Sequence, residues 1–135
     1  MRKLAFFCAI AGLFAAGLAA SAQSLQPNTV WRNERGSELR ISSIDPDGPL
    51  RGSYINRATG YRCQNTPYPV VGWVSGDKIA FAVRWTSPEA DCGSITSWTG
   101  YLSEGRLVTS WDLVRASAQD GKPQVLHGAD VFSAE

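Results

Sequence analysis

Histidine is nearly missing from this chain: His127 is the only one in 135 residues. Three cysteines, Cys8, Cys63 and Cys92, complete the set of soft metal ligands, which leaves too few for a four-coordinate zinc site. No Gly-rich phosphate loop, metal-ligand cluster or motif-marked serine or cysteine nucleophile occurs. Phosphoryl transfer, metal-assisted hydrolysis and triad chemistry therefore lack their usual parts, and the chain reads as a non-enzyme without a cofactor or metal. His127 on its own reads as a strand or loop residue near Asp130 rather than a general base.

Long apolar runs are also lacking, with one exception. Met1-Arg2-Lys3 gives a positive start, residues 4–20 are uncharged and apolar, and Ala20-Ser21-Ala22 has the small-x-small form of a cleavage site. This is the pattern of a secretory signal peptide over residues 1–22. A membrane span of roughly 20 residues would be longer and less rich in Ala and Gly. The expectation is a secreted or periplasmic protein with no membrane contact after cleavage. Residues 23–135, 113 of the 135, suit a single domain.

Removing the segment also removes Arg2, Lys3 and Cys8. Of 13 basic side chains 11 remain, against 12 acidic ones, so no charge excess points to nucleic acid or an anionic surface. Two cysteines are left, Cys63 and Cys92. An even pair in an exported chain reads as a disulfide, closing a loop of about 30 residues and contributing on the order of 2–4 kcal/mol. A two-cysteine metal site is the alternative, and His127 alone does not complete one.

What the chain does contain is short runs rich in Val, Ile, Thr, Tyr and Trp, separated by turn residues. Asn33-Glu-Arg-Gly36, Asp45-Pro-Asp-Gly48, Ser75-Gly-Asp77, Ser103-Glu-Gly105 and Asp120-Gly-Lys-Pro123 all read as turns. Between them the sequence predicts strands over residues 29–33, 37–44, 50–56, 68–74, 78–85, 94–102, 106–114 and 124–132, preceded by a flexible arm over 23–28. Evenly spaced strands with local turns imply an all-β fold, an eight-stranded antiparallel up-and-down β-barrel. Closure removes the exposed edges and leaves an interior for side chains or a small ligand.

Alternation along a strand decides which residues share a face. Trp31 and Asn33 agree, as do Tyr54 and Asn56, then Ser94, Thr96 and Trp98, then Phe81, Val83 and Trp85, then Thr109, Trp111 and Leu113. Each face mixes an apolar body with small polar groups. A core made only for stability would be mostly aliphatic, because every buried hydroxyl or amide needs a partner. Mixed faces predict a lined pocket.

Order and spacing carry the argument further. The chain shows Trp31-x-Asn33-x3-Ser37, Gly52-x-Tyr54-x-Asn56, Trp85 followed by Ser94-x-Thr96-x-Trp98-x-Gly100, then Trp111-x-Leu113 and Asp130-x-Phe132. In this set it resembles the avidin and streptavidin family over nearly the whole of residues 31–132. The resemblance implies high-affinity, non-covalent binding of biotin or biotinylated molecules in the barrel mouth. Asn33, Ser37 and Tyr54 would then donate to the ureido oxygen, and Asp130 and Asn56 would accept from its N–H groups. Trp85, Trp98, Trp111 and Leu113 would wall in the rings and aliphatic tail, Thr96 would lie by the thioether sulfur, and Ser94 would bond the tail carboxylate. Backbone amides of residues 57–60 would assist Ser94.

Two departures resemble the dimeric bacterial branch. The tetramers lend a neighbour a tryptophan from between strands 7 and 8, and residues 116–124 contain none. Cys63 and Cys92 match the cysteines of that branch, whose disulfide ties the loop after strand 3 to the start of strand 6. A homodimer is implied, with Val71 and Trp73 on one face of strand 4 as its apolar patch. The competing reading is a periplasmic protease inhibitor on a small β-barrel, which leaves the polar set from Asn33 to Asp130 without a role. A lipocalin-like lipid carrier would need fewer polar groups on these faces.

Overall fold

The computed structural model describes residues 24–135, so the expected signal peptide over residues 1–22 lies outside the described residues. Eight strands follow one another: β1 (Thr29–Asn33), β2 (Glu38–Ile44), β3 (Leu50–Ile55), β4 (Pro67–Ser75), β5 (Lys78–Thr86), β6 (Asp91–Ser103), β7 (Arg106–Ala116) and β8 (Pro123–Ala134). Each pairs antiparallel with the next. Trp31↔Ala134, Arg32↔Ser133 and Asn33↔Phe132 then join β1 to β8 and close the barrel. The up-and-down barrel expected from the turn spacing is the observed fold.

Several strands run longer than the sequence suggests. β6 starts at Asp91 rather than at Ser94 because Asp91 still pairs with Thr86, across a register shift after Arg84. Gly93, at φ +56°, takes a turn-like conformation inside that stretch, which disguises it as a loop. β4 contains Pro69, which pairs with Ser53 of β3, while pairing with β5 begins only at Val70. The missing N–H thus falls where β4 has no second neighbour to bond.

Inward positions alternate with outward ones, as in β5, where Ile79, Phe81, Val83 and Trp85 are buried. Leu39, Leu50, Tyr68, Val83, Leu107 and Phe132 have no exposure at all, and each contributes on the order of 1.5–3 kcal/mol by leaving water. Leu25 joins this core. Within the arm expected over residues 23–28, Ser24 and Gln26 to Asn28 are exposed and Leu25 alone is buried, an apolar anchor just before the end of β1 remote from Asn33.

Up-and-down topology sorts the connections. Those after β1, β3, β5 and β7 gather at one rim, and those after β2, β4 and β6 at the other. The first connection turns at Gly36, at φ +82°, whose N–H donates to the Asn33 carbonyl at 2.9 Å. Behind that turn Glu38 is buried and takes Arg32 at 3.1 Å, Arg40 at 2.7 Å and Arg57 at 3.3 Å. Arg57 lies after β3, so this carboxylate fastens the base of the next connection to β2.

Candidate functional site at the barrel mouth

The rim formed by the connections after β1, β3, β5 and β7 opens into a cavity of about 380 Å³. All of the residues singled out from the sequence line it: Asn33, Ser37, Tyr54, Asn56, Trp85, Ser94, Thr96, Trp98, Trp111, Leu113 and Asp130. Strand parity explains the convergence, since the inward row of each strand ends at this mouth. Below them Phe81 stacks on Trp98 with centroids 4.9 Å apart, and Tyr54 lies on Trp98 at 4.8 Å. These rings form the floor.

Polar groups gather around Asp130, which is 4% exposed. Trp98 Nε1 donates to Asp130 Oδ2 at 2.9 Å, and Thr109 Oγ1 donates to the Asp130 carbonyl at 3.0 Å. Burial pushes the Asp130 carboxyl above the usual aspartate range, and hydrogen bonds from Trp98 and Asn33 pull the other way. Tyr54 is raised too, first by burial and then by the negative charge of Asp130. Its phenol therefore stays protonated and available as a donor.

The neighbouring side chains are held with their spare capacity defined. Asn33 Oδ1 accepts the N–H groups of Arg35 at 3.0 Å and Ser37 at 2.8 Å, so the amide half that remains is the donor. Ser37 Oγ accepts the Arg57 N–H at 2.9 Å and directs its own hydrogen to Asn56 Oδ1 over 3.5 Å, a long bond that a ligand acceptor can replace. Asn56 is more committed: its Oδ1 accepts from Ala58 N at 3.0 Å, and its Nδ2 donates to the Arg62 carbonyl at 3.1 Å. Its Oδ1 also takes the Ser37 hydroxyl at 3.5 Å, so a ligand N–H would have to displace that weak donor, and one Nδ2 hydrogen remains.

The walls are indoles, and the N–H groups of Trp85 and Trp98 are paired within the protein. Trp85 Nε1 donates to Thr96 Oγ1 at 2.8 Å, which fixes both residues and leaves the Thr96 hydrogen free. Trp111 lies over Gly128, its partner across β7 and β8, where a Cβ would overlap the indole ring. Tyr61 meets Trp111 edge-on at 6.4 Å. Paired N–H groups make such burial inexpensive and leave flat apolar faces toward the cavity.

A polar end with one carboxylate and several donors, closed in by three tryptophans, agrees with the family suggested by the sequence. Residues 21–135 match the avidin family model. The chain belongs to the avidin family. It is 37% identical over 107 residues to afifavidin from Afifella pfennigii, covering 76% of this chain and 65% of that protein's length. It is likewise 37% identical over 113 residues to hoefavidin from Hoeflea phototrophica, covering 76% of this chain and 68% of that one. The match thus spans just under two thirds of afifavidin. Among solved structures, apo shwanavidin is similar at 47% identity and a TM-score of 0.75, over 83% of this chain and 98% of its own. The rhizavidin–biotin complex is similar at 39% identity and a TM-score of 0.73, over 79% and 98%.

Within this avidin, the rim carries what the sequence did not reveal. Arg35, Ala58, Tyr61, Arg62, Arg115, Ala116, Ser117 and Ala118 also line the cavity, and most belong to aperiodic connections where parity gives no guidance. Cys63 and Cys92 are joined, with Cα atoms 6.3 Å apart, tying the β3–β4 connection to the second residue of β6. The expected disulfide is present and Cys92 itself touches the cavity. The backbone amides of residues 57–60 were expected to face the mouth. Two of them are already engaged: Arg57 N donates to Ser37 Oγ and Ala58 N to Asn56 Oδ1, both on side chains that line the cavity. His127 sits on β8 facing outward, paired with Asp112 across the ladder, and takes no part in the cavity.

Proposed function

We propose that this avidin-family chain binds biotin non-covalently, ureido group inward and tail at the mouth, and catalyses nothing. The observation that carries the reading is the buried Asp130 carboxylate, set among donors at the end of a cavity walled by Trp85, Trp98 and Trp111. Asn33, Ser37 and Tyr54 donate to the ureido oxygen, and Asp130 and Asn56 accept from its N–H groups. Charge on Asp130 polarises the urea and strengthens the bonds at the oxygen. Thr96 stands by the sulfur, Leu113 packs on the tail and Ser94 takes the carboxylate. Relatives solved with biotin, rhizavidin and bradavidin2 among them, support the choice of ligand. Titration calorimetry of the oxidised protein should give strong heat and a large thermal shift. No heat and no shift at saturating biotin would end the reading.

The disulfide holds the pocket rim in its binding shape, so less order is lost on binding and no tryptophan from a neighbour is needed. Reduction should weaken biotin binding by roughly threefold to tenfold, since one or two side-chain freedoms return. Unchanged affinity in a folded sample with verified free thiols would remove this role.

The protein is exported after loss of residues 1–22 and works as a homodimer. Val71 and Trp73 are 45% and 62% exposed on the outer face of β4. A second apolar row, Ile95, Val114 and Val125, runs across the outside of β6, β7 and β8 in direct register. Apolar patches of this kind favour a partner surface. Sedimentation should give a dimer at micromolar concentration. A stable monomer would reject it.

A further inference from the structure

Arg115 is the next inward residue of β7 after Thr109, Trp111 and Leu113, and it is a cation where the row has so far been apolar or neutral. Its Nε is buried and has no hydrogen-bond partner among the described residues. Such a donor is costly to leave unpaired in a folded protein. Its neighbours sharpen the point. Ile95 of β6 pairs with Val114, and one further step of that register sets Ser94 beside Arg115. On the other side Arg115 pairs with Gln124 of β8, which is neutral. Among the described residues, the only carboxylate side chain lining the cavity is Asp130, at the opposite, polar end.

We infer that Arg115, with Ser94, forms an anion subsite at the cavity mouth that takes the terminal carboxylate of the ligand and makes this site prefer free biotin over its neutral amides. The inference rests on the biotin reading above. Position supports it. Asp130 pairs with Thr109 across β7 and β8, so Arg115 lies six residues along β7 beyond the level of the polar end. That is about 20 Å along the strand and about 15 Å along the axis of a barrel with the usual tilt, a span that the inward side chains of Asp130 and Arg115 shorten at both ends. An elongated ligand with a urea at one end and a carboxylate at the other fits this separation. The guanidinium offers a planar fork to a carboxylate, whereas an amide-linked tail presents a neutral carbonyl and an N–H that a guanidinium cannot accept.

Competitive titration of the full chain with biotin and biotin carboxamide tests this. The wild type should bind biotin at least about tenfold more tightly than the amide, the size expected of one charge-assisted bond. Arg115→Gln should abolish most of that preference by weakening biotin far more than the amide, and Arg115→Lys should restore it only in part. A wild type that binds both compounds equally, or a variant that keeps the wild-type ratio, overturns the subsite while leaving biotin binding intact. Failure of the wild type to bind either compound defeats the biotin reading itself. If Arg115→Gln does not fold, the wild-type ratio at low and high salt decides: the preference should shrink with salt, and a salt-independent ratio counts against the ion pair.

Discussion

Asp130→Ala should weaken biotin binding by at least tenfold, and about a hundredfold if the charge-assisted bond counts in full. The carboxylate accepts from Trp98 Nε1 at 2.9 Å and is 4% exposed, so a ligand that fills the cavity closes it off from water. Truncation removes a charge-assisted bond to the ligand, on the order of 1.5–3 kcal/mol, and leaves the Trp98 donor unpaired with and without ligand, which lowers stability. Asp130→Asn keeps an acceptor and the shape and should lose less. Calorimetry on both variants, with thermal melts of the unliganded proteins as a folding control, separates the two outcomes. Affinities within threefold of wild type for Asp130→Ala would show that the ureido group does not sit there.

The same group sets a pH dependence whose sign follows from burial. The Asp130 carboxyl titrates above the usual aspartate range, so the unliganded pocket favours its protonated form earlier than an exposed carboxyl would. A ligand that offers N–H groups needs the ionised form. Affinity should hold at neutral pH and fall on acidification through that raised pKa, and Asp130→Asn should show no such fall. Glu38 behaves oppositely. Hydrogen bonding from Arg40, with further help from Arg57, holds its carboxyl below the usual range. Its contribution to stability is complete above the ordinary glutamate range and is lost only as pH drops through the lowered value. Loss of binding should therefore begin at a higher pH than loss of the Glu38 network.

Parity explains which parts of this protein are legible in the sequence. A strand residue's face follows from its position alone, so Tyr54, Trp98 and Trp111 belong to one interior by alternation and nothing else. Turn residues set the number of strands in the same local way. What is not legible depends on contacts between distant segments or on chain that has no period. Tyr61 and Arg62 lie in a connection where Cys63 and Asn65 have positive φ, and no sequence rule orients such residues. Parity puts Asn56 on the inner face with Tyr54, yet the loop after it draws on both ends of its amide. Arg115 escapes for a simpler reason: ending β7 at Val114 cuts the inward row one residue short.

Gly128→Ala should cost affinity and stability together, although it adds a single methyl group. Alanine is ordinarily the better residue, since glycine loses more backbone freedom on folding, so any destabilisation here must come from contact. Gly128 faces Trp111 across the ladder, and a Cβ there would overlap the six-membered ring of the indole. The ring must turn into the cavity or β8 must move away from β7. Overpacking of this kind costs on the order of 1–3 kcal/mol, which lowers Tm by roughly 4–8 °C for each kcal/mol in a domain near this size. Biotin affinity should fall at least tenfold, because a displaced Trp111 occupies the space of the ligand tail. Trp111→Ala should reduce affinity by itself and should also make Gly128→Ala nearly neutral, since the methyl group then meets no ring. That non-additivity is the decisive measurement. A Gly128→Ala penalty that persists undiminished without the indole would place the strain in the β7–β8 backbone instead, and Trp111 would no longer be held in place by the absence of a side chain opposite it.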